Sequence, residues 1–281
     1  VRIILLTAAA LVGFSANSLL TRAALGAHLI DAPSFTLIRL VTGALTLAVL
    51  LRARRAPAAG RGSWLGALAL AGYAVAFTVA YTRIGAAVGA LLLFGAVQVT
   101  MTGTGLLRGE RPRRVDWIGV MLAVAGLAVL TLPGSTAPDV LGAGLMLAAG
   151  ACWGVYSLLG RTSRDPLATT AGNFSLASVL AIVALAVTLP AASASWRGVL
   201  LATASGSLAS GVGYTLWYAA LPALAAWRAA LLQLLVPVVT ALAAALWLGE
   251  SISSRLLAAT ALVITGVWLT IDIKRRASAS S

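Results

Sequence analysis

Residues 230–250 read ALLQLLVPVVTALAAALWLGE, apolar from end to end and closing on Gly249-Glu250. Residues 90–110 read ALLLFGAVQVTMTGTGLLRGE, a weaker copy placed 140 positions earlier. Without gaps, Ala90-Leu91-Leu92 aligns with Ala230-Leu231-Leu232, Thr100 with Thr240, and Gly109-Glu110 with Gly249-Glu250. A second echo lies at almost the same offset: Ser18-Leu19-Leu20-Thr21-Arg22 against Ser157-Leu158-Leu159-Gly160-Arg161. The chain therefore reads as one unit written twice.

Composition sets the medium of that unit. The chain is 60% hydrophobic and 10% charged, with a mean hydropathy of +1.00. A soluble domain carries about 25% charged residues, so this chain has too few to cover a water-facing surface. Its apolar residues fall into serial segments of roughly the 20 residues that cross a bilayer as a helix. Ten such spans are predicted, near 3–22, 33–51, 63–82, 84–107, 115–132, 140–160, 166–189, 198–220, 222–248 and 256–272. The first belongs to the repeat, so it is read as a span and not as a cleavable signal peptide. Cys152 is the only cysteine and lies inside a span, so no internal disulfide can form.

The net charge of +13 would suggest nucleic acid in a soluble protein. Here the basic residues sit in short loops and set topology. With the N-terminus inside, fourteen basic residues face the cytoplasm, among them Arg52, Arg54, Arg61, Arg108, Arg161 and Arg164. Four (Arg22, Arg83, Arg197 and Arg255) face outward. Both termini are then cytoplasmic. Each half has five spans, an odd number, so the halves insert upside down relative to each other. Inverted repeats of this kind typify secondary carriers, with the substrate site near the midplane. The expected fold is an all-α integral membrane protein with ten transmembrane helices, two inverted five-helix repeats around a central cavity. Residues 1–132 form the first repeat, 133–139 an outer linker, 140–272 the second repeat and 273–281 a polar cytoplasmic tail.

Trp217-Tyr218-Ala219-Ala220-Leu221, the apolar run with Pro237, and Leu248-Gly249-Glu250 together resemble the EamA-type branch of the drug/metabolite transporter superfamily. Tyr81, the run through Thr100, Gly109-Glu110, and Pro33 with Arg39 repeat the outline more loosely. The resemblance implies a ten-helix carrier of amino acids, other metabolites or drugs, moving them outward in the bacterial inner membrane. The aromatic interior is similar to that of amino-acid exporters of the YddG type. The first half has Val97 where the second has Pro237, so a hinge role is expected of Pro237 alone.

Polar and aromatic residues inside the spans are the candidates for a substrate cavity. Gln98 and Gln233 lie near the middle of their spans, where an amide can both donate and accept. Asn17 lies deep in the first span and Asn173 in the seventh; either lines a cavity or bonds across a helix interface. Tyr214, Trp217 and Tyr218 are spaced i, i+3, i+4 and share one face. Trp153 and Tyr156 lie at matching depth. The repeat sets Phe14 and Asn17 opposite Trp153 and Tyr156, with Phe77 near Trp217 and Tyr218 and Tyr73 as the echo of Tyr214. Two aromatic layers bounding a midplane cavity are expected, Tyr81 joining the outer one, unless the rings only pack. Trp64, Trp117, Trp196, Trp227, Trp247 and Trp268 lie near span ends as interfacial anchors.

Arg39 and Arg228 are the only charged residues well inside spans. Arginines at such depths usually snorkel to the headgroups. The functional alternative for Arg39 is contact with a substrate carboxylate. No lysine lies in a span, which argues against the phosphorylated-sugar exchangers of the wider superfamily.

Other function classes lack their parts. The acidic residues lie at span ends or in loops, and the one histidine, His28, is in the first outer loop. No HExxH motif and no histidine beside a buried serine is present, so neither metal-dependent nor serine hydrolysis is expected. No cofactor, metal or nucleic acid is implied. No ring of buried charge suggests an ion channel. The expected partners are a small, mainly neutral substrate and the lipid bilayer, with a monomer compatible with the sequence. The sequence is read as that of an exporter working by alternating access, most simply of neutral amino acids including aromatic ones; another metabolite or drug, moved in either direction, is the alternative, and a non-transporting membrane protein is the alternative from another class.

Overall fold

A computed structural model describes residues 2–54, 61–84, 86–131, 139–188, 192–248 and 254–277. The helices are α1 (Arg2–Gly26), α2 (Ala32–Ala53), α3 (Trp64–Ala80), α4 (Ala86–Leu107), α5 (Arg114–Thr131) and α6 (Val140–Gly160). They continue as α7 (Pro166–Thr188), α8 (Trp196–Ala204), a π-helical stretch (Ser205–Val212), α9 (Gly213–Ala220) and a 3₁₀ turn (Leu221–Ala223). The last are α10 (Ala226–Gln233), α11 (Leu235–Leu248) and α12 (Ser254–Ala277). No strand occurs among the described residues; one isolated antiparallel bridge joins Ile30 to Ala194.

Helix starts follow local chemistry. Asp31, Ser63, Asp139 and Ser195 each accept a backbone N–H from three residues on, at Ser34, Gly66, Gly142 and Gly198. Each such cap satisfies a donor that the first turn leaves open. Four helices and the run Trp196–Ala223 are long and apolar enough to cross a bilayer, and α3 and parts of α4, α10–α11 and α12 form shorter apolar helices. Large apolar side chains cover the outside, among them Ile4, Val99, Met121, Val183 and Leu208, each more than 60% exposed. This is the inverse of a water-soluble surface.

The two halves interlock. α3 packs on α6 and α7, α4 on α6 and α10, α2 on α7 and the π-helical stretch, α1 on α9 and α11, and α5 on α12. Opposite ends of the helices are tied separately. At the start of α2, the Asp31 carboxylate accepts from Ser193 N at 2.7 Å, and Asp31 N donates to Ser193 O. Past the end of α2, Arg54 holds Asp165 through two hydrogen bonds of 2.9 and 2.5 Å. At the same end of the bundle, Arg161 pairs with Glu110 at 2.8 Å, and both Glu110 oxygens accept the Ala226 amide that opens α10.

Two spans differ from expectation. The eighth begins at Trp196 and changes pitch through Ser205–Val212. The ninth is broken at Leu234, between α10 and α11. Pro237 explains the break: it has no N–H for the Gln233 carbonyl four residues back, and its ring crowds that carbonyl. α4, with Val97 in place of proline, runs unbroken. α12 extends to Ala277, past residue 273 where the tail was expected to begin. Linker residues 133–138 and Gly249-Glu250 lie outside the described residues.

Candidate functional site

The interior is organised around aromatic rings from α1, α3, α6, α7 and α9. Phe14, Tyr73, Phe77, Tyr81, Trp153, Tyr156, Phe174, Tyr214, Trp217 and Tyr218 form one continuous cluster with centroid separations of 4.6–6.1 Å. The two expected layers therefore do not stand apart across an open cavity. Phe14 and Tyr73 both touch Trp153, at 5.2 and 5.0 Å, and close the space between them. The gap that remains, walled by Phe14, Asn17, Tyr73, Phe77, Trp153 and Tyr214, measures about 20 Å³. That is room for about one water molecule.

The polar groups around these rings are mostly engaged. Trp153 Nε1 donates to Gln233 Oε1 at 2.5 Å, and Gln233 Nε2 reaches Ala229 O at 3.2 Å. Trp217 Nε1 donates to Ser157 Oγ at 3.1 Å, and Tyr218 Oη to the Tyr156 carbonyl at 2.7 Å. Asn17 accepts from Ser205 Oγ at 2.6 Å. Both amide atoms of Gln98 and the Tyr156 hydroxyl, by contrast, are buried without a partner among the described residues. Gln98 does not line the small cavity.

Arg39 departs most from the sequence reading. It does not extend to the headgroups. Its side chain is 1% exposed and turns inward against the rings. Nε donates to Ser210 Oγ at 2.9 Å, and Nη2 donates to the Tyr214 hydroxyl. The guanidinium carbon lies 5.4 Å from the centre of the Tyr73 ring, where a cation–π contact contributes about 0.5–2 kcal/mol. Nη1 is buried without a partner, and no carboxylate pairs with Arg39 among the described residues. A buried cation with neutral partners alone is costly. Arg39 thus keeps one buried donor nitrogen without an acceptor, beside aromatic faces.

The π-helical stretch places this group. In an α-helix, residues five apart are turned about 140° from each other. With i→i+5 bonding they stack on one side. Ser205 can therefore hold Asn17 of α1 while Ser210 holds Arg39 of α2. Gly206 allows the approach, since a Cβ there would lie 2.1 Å from Thr42 Oγ1 and 2.2 Å from the Arg39 carbonyl oxygen. Ser205, Ser210 and Phe174 are absent from the sequence-predicted set. The one signal for the two serines is the run of small and polar residues in 205–211 within an apolar span, and pitch cannot be read from that.

Other expectations change on burial. Trp227 is 5% exposed and is not an interfacial anchor, whereas Trp64, Trp196 and Trp268 are more than half exposed. Asn173 is 1% exposed and accepts Ser63 N at 2.9 Å, so it secures the start of α3. A hollow of about 840 Å³ runs between α1 and the α8–α9 span. Its walls are apolar apart from Arg22, and Val12 and Leu208 on them are 59% and 68% exposed. It is a furrow on the outer, apolar surface and lies apart from Arg39.

Comparison with known proteins agrees with this architecture. Residues 140–272 match the model of the EamA-like transporter family. The uncharacterized protein PA1977 of Pseudomonas aeruginosa is 52% identical over 269 residues, covering 95% of this chain and 94% of the relative. The threonine/homoserine exporter RhtA of Salmonella typhimurium is 30% identical over 260 residues, covering 88% and 84%. A solved crystal structure superposes with a TM-score of 0.82 over 98% of both chains; at 20% identity this is a likeness of fold alone. The chain belongs to the EamA-like transporter family, within the drug/metabolite transporter superfamily, and is a multi-pass membrane transporter of small molecules.

Proposed function

We propose that this protein is a secondary carrier of the bacterial inner membrane that exports neutral amino acids by alternating access. The observation that carries the reading is Arg39: a cation 1% exposed, held by hydroxyls, with one nitrogen unpartnered. A zwitterionic amino acid supplies the missing carboxylate and has no net charge to drag across the low-dielectric interior. The surrounding rings suit its side chain, each stacked pair contributing about 0.5–1.5 kcal/mol beyond burial. Similarity to a threonine/homoserine exporter points to the same substrate class.

The packing supports two inverted five-helix repeats spanning the membrane ten times. Exchanging the halves turns the α3–α6 contact into α9–α1, α4–α6 into α11–α1, and α2–π-helix into α7–α3, and all of these pairs occur. In this reading the closed ring cluster is a state with the centre shut. Loading requires Trp153 and Phe14 to part. Pro237, beside the break at Leu234, is the proposed hinge, and α4 has no equivalent. The chain orientation follows the arginine bias, which puts the Arg54–Asp165 and Glu110–Arg161 ties on the cytoplasmic side.

Counterflow in proteoliposomes tests the reading. Vesicles loaded with unlabelled threonine should take up labelled threonine transiently above equilibrium, with saturation. Uptake that rises linearly with concentration and shows no counterflow would contradict a carrier.

A further inference from the structure

A second hollow lies at the Arg54 end of the bundle and plays no part in the Arg39 site. It measures about 300 Å³ and is polar, at the lower end of the range for small-molecule sites. Arg61 and Arg164 stand exposed at its mouth. Ser163 and Thr169, hydrogen-bonded to each other at 2.9 Å, lie along one wall. Asn173 and Tyr218 are buried at its floor.

Its charge is one-sided. No carboxylate lines it among the described residues. Asp165, next in sequence to Arg164, has both oxygens taken by Arg54, and one also accepts the Ala168 amide. Its backbone is fixed as well. A Cβ on Gly62 would lie 2.2 Å from the Gly172 carbonyl carbon, and Ser63 N donates to Asn173, so the segment carrying Arg61 lies directly on α7. The Asp165 tie holds Arg164 in place from the other side. Two arginines carried on anchored backbone, over Asn173 and Tyr218, suit a carboxylate.

The floor leads inward. Tyr218 also packs on Tyr156 at 4.8 Å, and Tyr156 on Trp153 at 5.6 Å. The Tyr156 hydroxyl is the buried group left without a partner on that route. Tyr156 in turn touches Tyr214, which bonds Arg39. We propose that the hollow is a loading site, in which Arg61 and Arg164 capture the carboxylate of a neutral amino acid before it passes Tyr218 and Tyr156 to Arg39. The proposal rests on the carrier reading above and names its entry point.

Two readouts in the full chain separate failure of this site from failure of that reading. The first does not use flux. In a Cys152→Ala background, Ser163→Cys is labelled with a maleimide in the presence and absence of threonine. Threonine should slow labelling, and Arg61→Gln with Arg164→Gln should abolish that protection, while Arg61→Lys with Arg164→Lys retains it. The second is transport: the Gln pair should raise KM for substrate on this face about fivefold, the scale of an exposed ion pair. The maximal rate from this face should not change, and, since the substrate gradient is the driving force, the ratio of maximal rate to KM from the opposite face should fall by the same factor. Absence of protection with both arginines present, or a Gln pair with unaltered protection and KM, overturns the loading site. Protection without counterflow overturns the carrier reading and leaves the site standing.

Discussion

Arg39 of α2 donates from Nε to Ser210 Oγ at 2.9 Å, across 171 positions of chain. The bond joins the two halves at the buried cation. Ser210→Ala leaves that nitrogen without its acceptor in a place water does not reach. A hydrogen bond to a charged group contributes about 1.5–3 kcal/mol. The variant should therefore melt several degrees lower in detergent and lose most of its flux. Ser207→Ala is the control: its hydroxyl bonds only the Thr203 carbonyl within its own helix, and its loss should change little.

Trp153 sits where the ring contacts converge, touching Phe14, Tyr73, Tyr156 and Tyr214. Trp153→Ala removes these stacks and frees Gln233 Oε1. Flux of large neutral amino acids should fall several-fold. Trp196→Ala removes a ring that is 68% exposed and should leave flux near wild type. Equal losses in the two would mean that the rings only pack.

The all-helical, apolar character of the fold was legible because it rests on the length and hydropathy of serial segments. Pro237 against Val97 correctly marks which half carries a broken helix. Trp153, Tyr156, Tyr214 and Tyr218 do come together, since residues on one helical face meet whatever lies opposite. Three things were not legible. Arg39 enters from a span end, and general experience sends such a side chain outward; the partners that turn it inward are Ser210 and Tyr214, far away in sequence. The π-helical pitch that presents Ser210 has no period in the sequence to betray it. The closed state of the ring cluster was also hidden, because shared depth says nothing about how far apart two layers stand.

The tie at Asp31 has a pH dependence with a fixed sign. Burial alone would raise its pKa, but the Ser34 amide and hydroxyl and the Ser193 amide outweigh this and hold it below the usual carboxylate value. A depressed folded pKa gives stability that is full above the unfolded value of about 3.9 and lost as pH falls through the folded one. The melting-temperature gap between wild type and Asp31→Asn should be constant from pH 5 to 8, on the scale set by that reference value, and should close below about pH 4. A gap that persists in acid would mean that the carboxylate charge does not make the tie.

Proton coupling in a membrane carrier usually needs an ionisable group in mid-membrane. The buried carboxylates among the described residues, Asp116 and Asp165, stand at helix starts and are paired with Arg113 and Arg54. Transport should therefore follow the substrate gradient. Flux in proteoliposomes at equal pH on both sides should persist with an uncoupler present. Its disappearance would assign coupling to one of these end carboxylates.

The central claim is that Arg39 receives the carboxylate of the substrate. Competition against labelled threonine counterflow measures this directly, comparing neutral amino acids with the amines that lack only the carboxylate. In the wild type the amino acids should compete and the amines should not; Arg39→Gln should lose counterflow while remaining monodisperse. Amines that compete as well as their parent amino acids, or an Arg39→Gln variant with wild-type counterflow, would contradict the account.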